Sequence, residues 1–114
     1  MLIHVLRAKI HRARITAANL QYEGSIAVGT DLLAVSTIHV HERVQVVNLN
    51  NGVRFETYVI EGKPGEITLN GPAARLGLVG DEVIIIAYAL IDPEKDKAIT
   101  PRIVQVDAGN HPMA

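Results

Sequence analysis

Ser25 directly follows Gly24 in the run Tyr22-Glu23-Gly24-Ser25, and the chain's only other serine is Ser36. A serine–histidine–acid triad would have to use one of these two. Neither has the Gly-x-Ser-x-Gly surroundings of a strained nucleophile elbow, and Gly-Ser by itself reads as an ordinary turn. His39-Val40-His41 sets two imidazoles on one strand face beside Glu42. That is half of a metal site, but no third ligand follows, and a solvated loop or strand end is the plainer reading. His111 falls in the expected tail and gives no signal. The chain has no cysteine, which excludes thiolate zinc sites, iron–sulfur clusters, disulfide scaffolds and cysteine nucleophiles. Neither a P-loop nor a GxGxxG run occurs.

Whatever chemistry the chain performs must be positioned mainly by strands. Valine, isoleucine and threonine supply 32 of the 114 residues. Such β-branched side chains pack well on pleated surfaces and lose rotamer freedom in helices. A chain of this length holds one core, so residues 1–114 are read as a single domain. Lys and Arg total 11 against 12 Asp and Glu, a net charge of −1. That balance, with few aromatic residues, argues against a nucleic-acid partner. No run approaches the roughly 18 apolar residues of a spanning helix, and no cleavable leader follows Met1. The expectation is a soluble, cytoplasmic protein with no membrane partner.

Residues 1–22 carry Arg7, Lys9, Arg12 and Arg14 and no acid before Glu23. Leu2, Leu6, Ile10 and Ala13 would fit a helical stripe. Leu6, Ala8 and Ile10 also alternate with Arg7, Lys9 and His11, and a strand is preferred because the other strands need partners. Thr16 to Leu20 reads as a short helical turn capped by Thr16. Ser25 to Val28 reads as a strand, and Asp31 to Ser36 as a helix capped by Thr30 or Asp31. Arg43–Leu49 and Val53–Ile60 form a hairpin around Asn51-Gly52, a two-residue type I′ turn that pairs Val46 with Thr57 and Val44 with Val59. One face then holds Val44, Val46, Phe55, Thr57 and Val59. The other holds Arg43, Gln45, Arg54, Glu56 and Tyr58, and is solvent, interface or site.

Gly62 to Gly65 is a turn, and Glu66–Leu69 is a strand broken by Asn70-Gly71-Pro72. Ala73 to Leu78 reads as one helical turn ended by Gly80. The apolar run Val83–Ile91 suits a strand buried on both sides. Asp92–Asp96 is an exposed turn, Arg102–Val106 a last strand, and Ala108–Ala114 is expected to fray. Many short strands with few helices suggest a closed barrel, which leaves no free edge.

Several short runs occur in a fixed order: Lys9-Ile10-His11-Arg12, Tyr22-Glu23-Gly24-Ser25, Asn51-Gly52-Val53-Arg54, Thr57-Tyr58 and Asn70-Gly71-Pro72-Ala73-Ala74. Each is weak alone. Together with Gly80-Asp81-Glu82-Val83-Ile84-Ile85 and Arg102-Ile103-Val104 they resemble the bacterial aspartate decarboxylases. These are pyruvoyl-dependent enzymes that make β-alanine for pantothenate and coenzyme A. The resemblance implies a mainly β fold, a double-psi β-barrel with short helical turns. It also implies a homotetramer with active sites between neighbouring subunits, and no metal. The chain departs from the family's usual pattern in places. Pro72 and Arg75 stand where alanine and histidine are usual, Asn19 and Gly29 where aspartate is usual, and Val47 where some members have tryptophan. The Glu61–Glu66 loop looks about two residues short. Pro72 has no N–H to offer a substrate, although its carbonyl remains.

Decarboxylating an amino acid leaves a carbanion, and no protein side chain is an electron sink. Lys9, Lys63, Lys95 and Lys97 come without a recognisable phosphate-binding loop for pyridoxal phosphate. The resemblance implies instead a covalent pyruvoyl group made from Ser25 by self-cleavage into residues 1–24 and 25–114. Gly24 suits that step because it has no Cβ to hinder attack on its carbonyl. The resemblance further implies that Thr57 hydrogen-bonds the oxyanion and that His11, Tyr22 and Asn70 support processing. Lys9 and Arg54 would hold the carboxylates of L-aspartate, with Thr57, Gly71, Pro72 and Ala73 around the substrate. Tyr58 would return a proton to Cα. Thr57 and Tyr58 are adjacent, so an ideal strand points them to opposite faces. Both serve one site only at a strand end, between subunits or past a bulge, unless Thr57 acts through its backbone. Two other readings stand beside this one. One is a non-enzymatic barrel that binds a ligand or partner through its basic first strand. The other is a family member that no longer self-processes, given Pro72 and Arg75.

Overall fold

A computed structural model describes residues 1–113. Eight strands form the elements β1 (Ile3–Arg14), β2 (Ala17–Asn19), β3 (Ser25–Gly29), β4 (Arg43–Asn48), β5 (Arg54–Gly62), β6 (Ile67–Asn70), β7 (Glu82–Ile91) and β8 (Arg102–Gln105). One helix, α1 (Thr30–Ser36), follows β3, and a 3₁₀ turn spans Gly71–Arg75. The hydrogen-bonded order is β2-β6-β3-β5-β4-β7-β1-β8. β1 and β2 are nearly continuous. Between them the Ile15 N–H donates to the Asp81 carbonyl at 2.9 Å and the Thr16 N–H to the Ile67 carbonyl at 2.8 Å. One bent strand thus passes from β7 to β6 and closes a ring, with β8 added beside β1. The pairs β2/β6 and β3/β5 are parallel and the other ring pairs antiparallel. The mainly β fold and the barrel expected from the sequence are borne out.

The core is aliphatic. Ile10, Ile26, Val28, Val44, Val46, Val59, Ile67, Leu69, Val83 and Ile85 from the strands and Leu32 from α1 are buried in one cluster. Alternation on β1 is as expected for a strand, with Ala8 and Ile10 inward, so the helical stripe at the N-terminus does not form. Arg12 has φ +65 where the β1/β7 register shifts between Ile10 and Ala13.

Several local expectations are corrected. Thr16–Leu20 is not a capped helical turn, because Ala17–Asn19 forms β2 along β6. α1 begins one residue earlier than expected, with Gly29 at its cap and no side-chain cap. The hairpin turn is not two-residue type I′. Gly52 has φ +78 but Asn51 does not share that sign, and Val46 pairs with Phe55 and Val44 with Thr57. The slip is two residues, so every side chain keeps its expected face. The 3₁₀ turn precedes the expected Ala73–Leu78 position. β7 is not buried on both sides. Val83, Ile85 and Ala87 point inward, whereas Tyr88 and Leu90 are exposed. The tail does not fray through Met113. Val106 bridges Pro112, and the buried Asn110 bonds both main-chain groups of Arg14. Ala114 lies outside the described residues.

Candidate active site

Ser25 opens β3 and is 1% exposed. It stands opposite Asn70, the last residue of β6, where the chain leaves the ladder for the 3₁₀ turn. The Asn70 side-chain amide donates to Ser25 Oγ at 3.0 Å. The Ser25 hydroxyl in turn donates to the Glu23 carbonyl at 3.1 Å. The hydroxyl is therefore oriented by protein groups and not by bulk water.

Gly71 lies directly against this peptide. Its φ is +62, and a Cβ there would fall 2.8 Å from Gly24 N and Cα and 2.9 Å from the Tyr22 carbonyl oxygen. Both backbone sign and space therefore require glycine. A Cβ on Gly24 would lie 3.5 Å from Pro72 Cδ, an ordinary contact. Ala73 is buried in the same turn. The Gly24–Ser25 bond is thus walled by Asn70, Gly71 and Pro72. Tyr22 approaches through its carbonyl, and its side chain is exposed.

The parallel β3/β5 register begins with Ile26 opposite Val59. Continued back along both strands, it sets Ser25 level with Tyr58 and Gly24 level with Thr57. β5 pairs with β4 through both residues without a shift, so no bulge turns them to one side. Thr57 shares the face of Val44, while Tyr58 points outward and is 36% exposed.

Lys9, His11 and Arg54 are not hydrogen-bond partners of Ser25 in this chain. Arg54 starts β5 four residues before Tyr58, roughly 13 Å along the strand. Lys9 lies on β1, opposite Ile86, which is opposite Gln45, which is opposite Glu56. Cross-strand partners share a face, so Lys9 and Arg54 stand at two sides of one outer surface spanning β1, β7, β4 and β5. A groove of about 450 Å³ on that surface is lined by His4, Arg43, Gln45, Glu56, Tyr88 and Leu90, among others. Ser25 is not part of it.

The ion pairs are informative. Arg7 pairs with Glu42, and Arg12 and Arg14 with Glu82. The Arg12 guanidinium holds the Glu82 carboxyl below its ordinary value. Among the described residues neither Lys9 nor Arg54 has a carboxylate partner. His11 Nδ1 is buried without a hydrogen-bond partner. His39 and His41 sit in a turn, with His41 at φ +73. No cluster of three metal-ligating side chains occurs among the described residues.

Sequence reasoning missed two features. Gln45 accepts hydrogen bonds from both Arg54 and Tyr88, and no motif marks it. His111 Nδ1 lies 3.0 Å from Asp31 Oδ2, a contact between residues 80 apart in the chain.

A model of the aspartate decarboxylase family matches residues 1–113. The chain belongs to that family. It is 53% identical to an aspartate 1-decarboxylase of Chloroherpeton thalassium over 98% of this chain and 84% of that one. It is 56% identical to an aspartate 1-decarboxylase of Caldicellulosiruptor saccharolyticus over 96% of this chain and 88% of that one. A third aspartate 1-decarboxylase, from Desulfitobacterium hafniense, is 55% identical over 96% and 87%. As a member of a decarboxylase family the protein is an enzyme, a carboxy-lyase. The aspartate decarboxylase match runs through every element of the barrel, so the Ser25 enclosure and the outer surface with Arg54 both lie within it.

Proposed function

We propose that this protein decarboxylates L-aspartate to β-alanine and CO2, using a pyruvoyl group that it makes from its own Ser25. The observation that carries the reading is the enclosed Gly24–Ser25 peptide, with the Asn70 amide on Ser25 Oγ. The residues present fit that group. A buried hydroxyl sits beside a carbonyl whose residue has no Cβ, and Gly71, also without a Cβ, packs closely against Gly24.

In self-cleavage the Ser25 hydroxyl adds to the Gly24 carbonyl carbon, and Thr57, level with Gly24, stabilises the oxyanion. The C–N bond breaks and an ester forms. β-Elimination then releases the Gly24 carboxylate and leaves dehydroalanine at residue 25. Water adds, ammonia leaves, and the products are residues 1–24 and 25–114. One well-placed oxyanion donor is typically worth about 3 kcal/mol of barrier. Asn70 orients the nucleophile, and His11 and Tyr22 are supporting groups in this reading.

Once formed, the pyruvoyl ketone supplies the electron sink that the side chains lack. The chain's own residues do the rest. Arg54 and Lys9 bind the carboxylates of aspartate, Arg54 through two parallel bonds and Lys9 as a point charge. Thr57, Gly71, Pro72 and Ala73 wall the substrate, and the Tyr58 phenol returns a proton to Cα. The spacing of Arg54 from Ser25 along one chain favours a site completed by a second copy, within a homotetramer. A cytoplasmic location and supply of pantothenate follow from the family reading. The processing-deficient alternative finds little support here, because Pro72 makes only an ordinary contact with Gly24 and Arg75 is exposed.

Intact-mass measurement tests the reading. Two fragments split after Gly24 are expected, the larger lacking its terminal amine, and Ser25→Ala should remain a single chain. One uncut chain after prolonged warming of the unaltered protein would reject self-processing.

A further inference from the structure

Arg54, Gln45 and Tyr88 form a diagonal line across three strands of the outer face. Arg54 is opposite Val47, and Gln45 is two residues along β4 from it. On the other side Gln45 is opposite Ile86, and Tyr88 is two residues along β7. Diagonal neighbours on one face lie within reach of long side chains. Gln45 Oε1 accepts from Arg54 Nη1 at 2.9 Å and from the Tyr88 hydroxyl at 2.8 Å. A carbonyl oxygen has two lone pairs, and here both are used.

The choice of acceptor matters. Glu56 lies two residues along β5 from Arg54, on the same face and opposite Gln45. An arginine seeking a partner would ordinarily find that carboxylate. Arg54 makes no ion pair among the described residues and bonds the neutral amide instead. A carboxylate partner would neutralise the guanidinium and compete with any incoming anion. An amide fixes its direction and leaves its charge. Only Nη1 is engaged, so Nη2 and Nε remain for a bidentate bond to a carboxylate. Tyr88 holds the amide from the far side, which fixes the oxygen toward Arg54.

We propose that Gln45 is a positioning residue for Arg54, holding the guanidinium through a neutral acceptor so that it stays available to a substrate carboxylate. The proposal rests on the decarboxylase reading given above. It is tested by steady-state kinetics on protein already split into its two fragments. Gln45→Ala should raise the KM for aspartate about 3- to 10-fold, with a much smaller change in kcat, since one hydrogen bond that preorganises binding is lost. Gln45→Glu should raise KM further, because the new carboxylate pairs with Arg54. In an Arg54→Lys background, Gln45→Ala should add nothing, since its effect passes through the guanidinium.

An unchanged KM in Gln45→Ala would overturn the proposal. So would a Gln45→Glu variant as good as the unaltered enzyme, or a Gln45→Ala effect that persists in full with Arg54→Lys. Absence of aspartate turnover in the unaltered, cleaved protein would instead overturn the decarboxylase reading itself.

Discussion

In the proposed mechanism, Tyr58 is the residue at which making the pyruvoyl group and using it can be separated. It faces outward from β5, opposite Arg43, and in the continued β3/β5 register it is level with Ser25. Tyr58→Phe removes one oxygen and keeps a ring that is already 36% exposed, so folding should change little. In the proposed mechanism self-cleavage draws on Gly24, Ser25, Asn70 and Thr57, none of which is altered, and mass measurement should still find two fragments. Turnover of aspartate should fall roughly 10²–10⁴-fold, the range for loss of a positioned general acid. β-Alanine released at the unaltered rate would assign the proton to another group. The same separation explains why Thr57 and Tyr58 can be neighbours in sequence yet face apart. In the proposed mechanism Thr57 serves the Gly24 carbonyl and Tyr58 the substrate, so the two need not share a face.

At the scale of elements, the tail after β8 is held by a hook that carries its own pH dependence. Asn110 bonds both main-chain groups of Arg14 and the Gly65 carbonyl. The adjoining His111 imidazole meets Asp31 at the start of α1. The Asp31 hydrogen bond raises the His111 pKa above its ordinary 6.5, and the nearby Asp107 adds to this. A raised histidine stabilises the fold fully below its unfolded pKa and loses that contribution as pH rises through the folded value. Asp107 works in the other direction. The His111 N–H lowers its pKa, so its contribution is present above the unfolded value near 3.8 and fades as pH falls through the folded one. The hook should therefore be tightest in mildly acidic solution. NMR titration should place the His111 midpoint above 6.5, and Asp31→Asn should bring it down. A midpoint at or below the ordinary value in the unaltered protein would remove the hook's pH dependence. Little of this could be read from the sequence, since its partners lie far apart along the chain. The hairpin shows the same limit. Asn51-Gly52 marks a turn, but bonds from the turn's own side chains to distant backbone groups accompany its greater length. Asn51 Nδ2 reaches the Leu76 carbonyl, and Asn50 Oδ1 accepts from the Glu82 N–H. What survived was the period-two pattern, because a slip of two residues leaves each face unchanged. The candidate Gly24–Ser25 site was singled out by its ordered neighbours. Gln45 was not, because an alternating polar residue on a strand has no local mark of its bonds.

The whole molecule presents an outer sheet surface that a lone barrel has no reason to make apolar. Tyr88 and Leu90 on β7 and Ile103 on β8 are exposed, beside Lys9 and Arg54, which have no carboxylate partners among the described residues. Ser25, by contrast, lies at the start of β3, with Arg54 roughly 13 Å away along β5. The proposed site, which needs both, is most simply built when one copy supplies Ser25 and a neighbour supplies the cation. This arrangement predicts complementation. Under the proposed mechanism Ser25→Ala forms no pyruvoyl group and should be inactive alone. Arg54→Ala should form it and still turn over aspartate poorly. Co-expressed and assembled together, the two variants would meet at random, and about a quarter of the sites would combine an intact Ser25 with an intact Arg54. Activity of mixed assemblies near that fraction of the unaltered enzyme, well above either variant alone, is the expected result. Mixed assemblies no more active than the sum of the separate variants would mean that each chain completes its own site. Lys9 would then have to reach Ser25 from β1 across β7, β4 and β5, and Arg54 from the far end of β5.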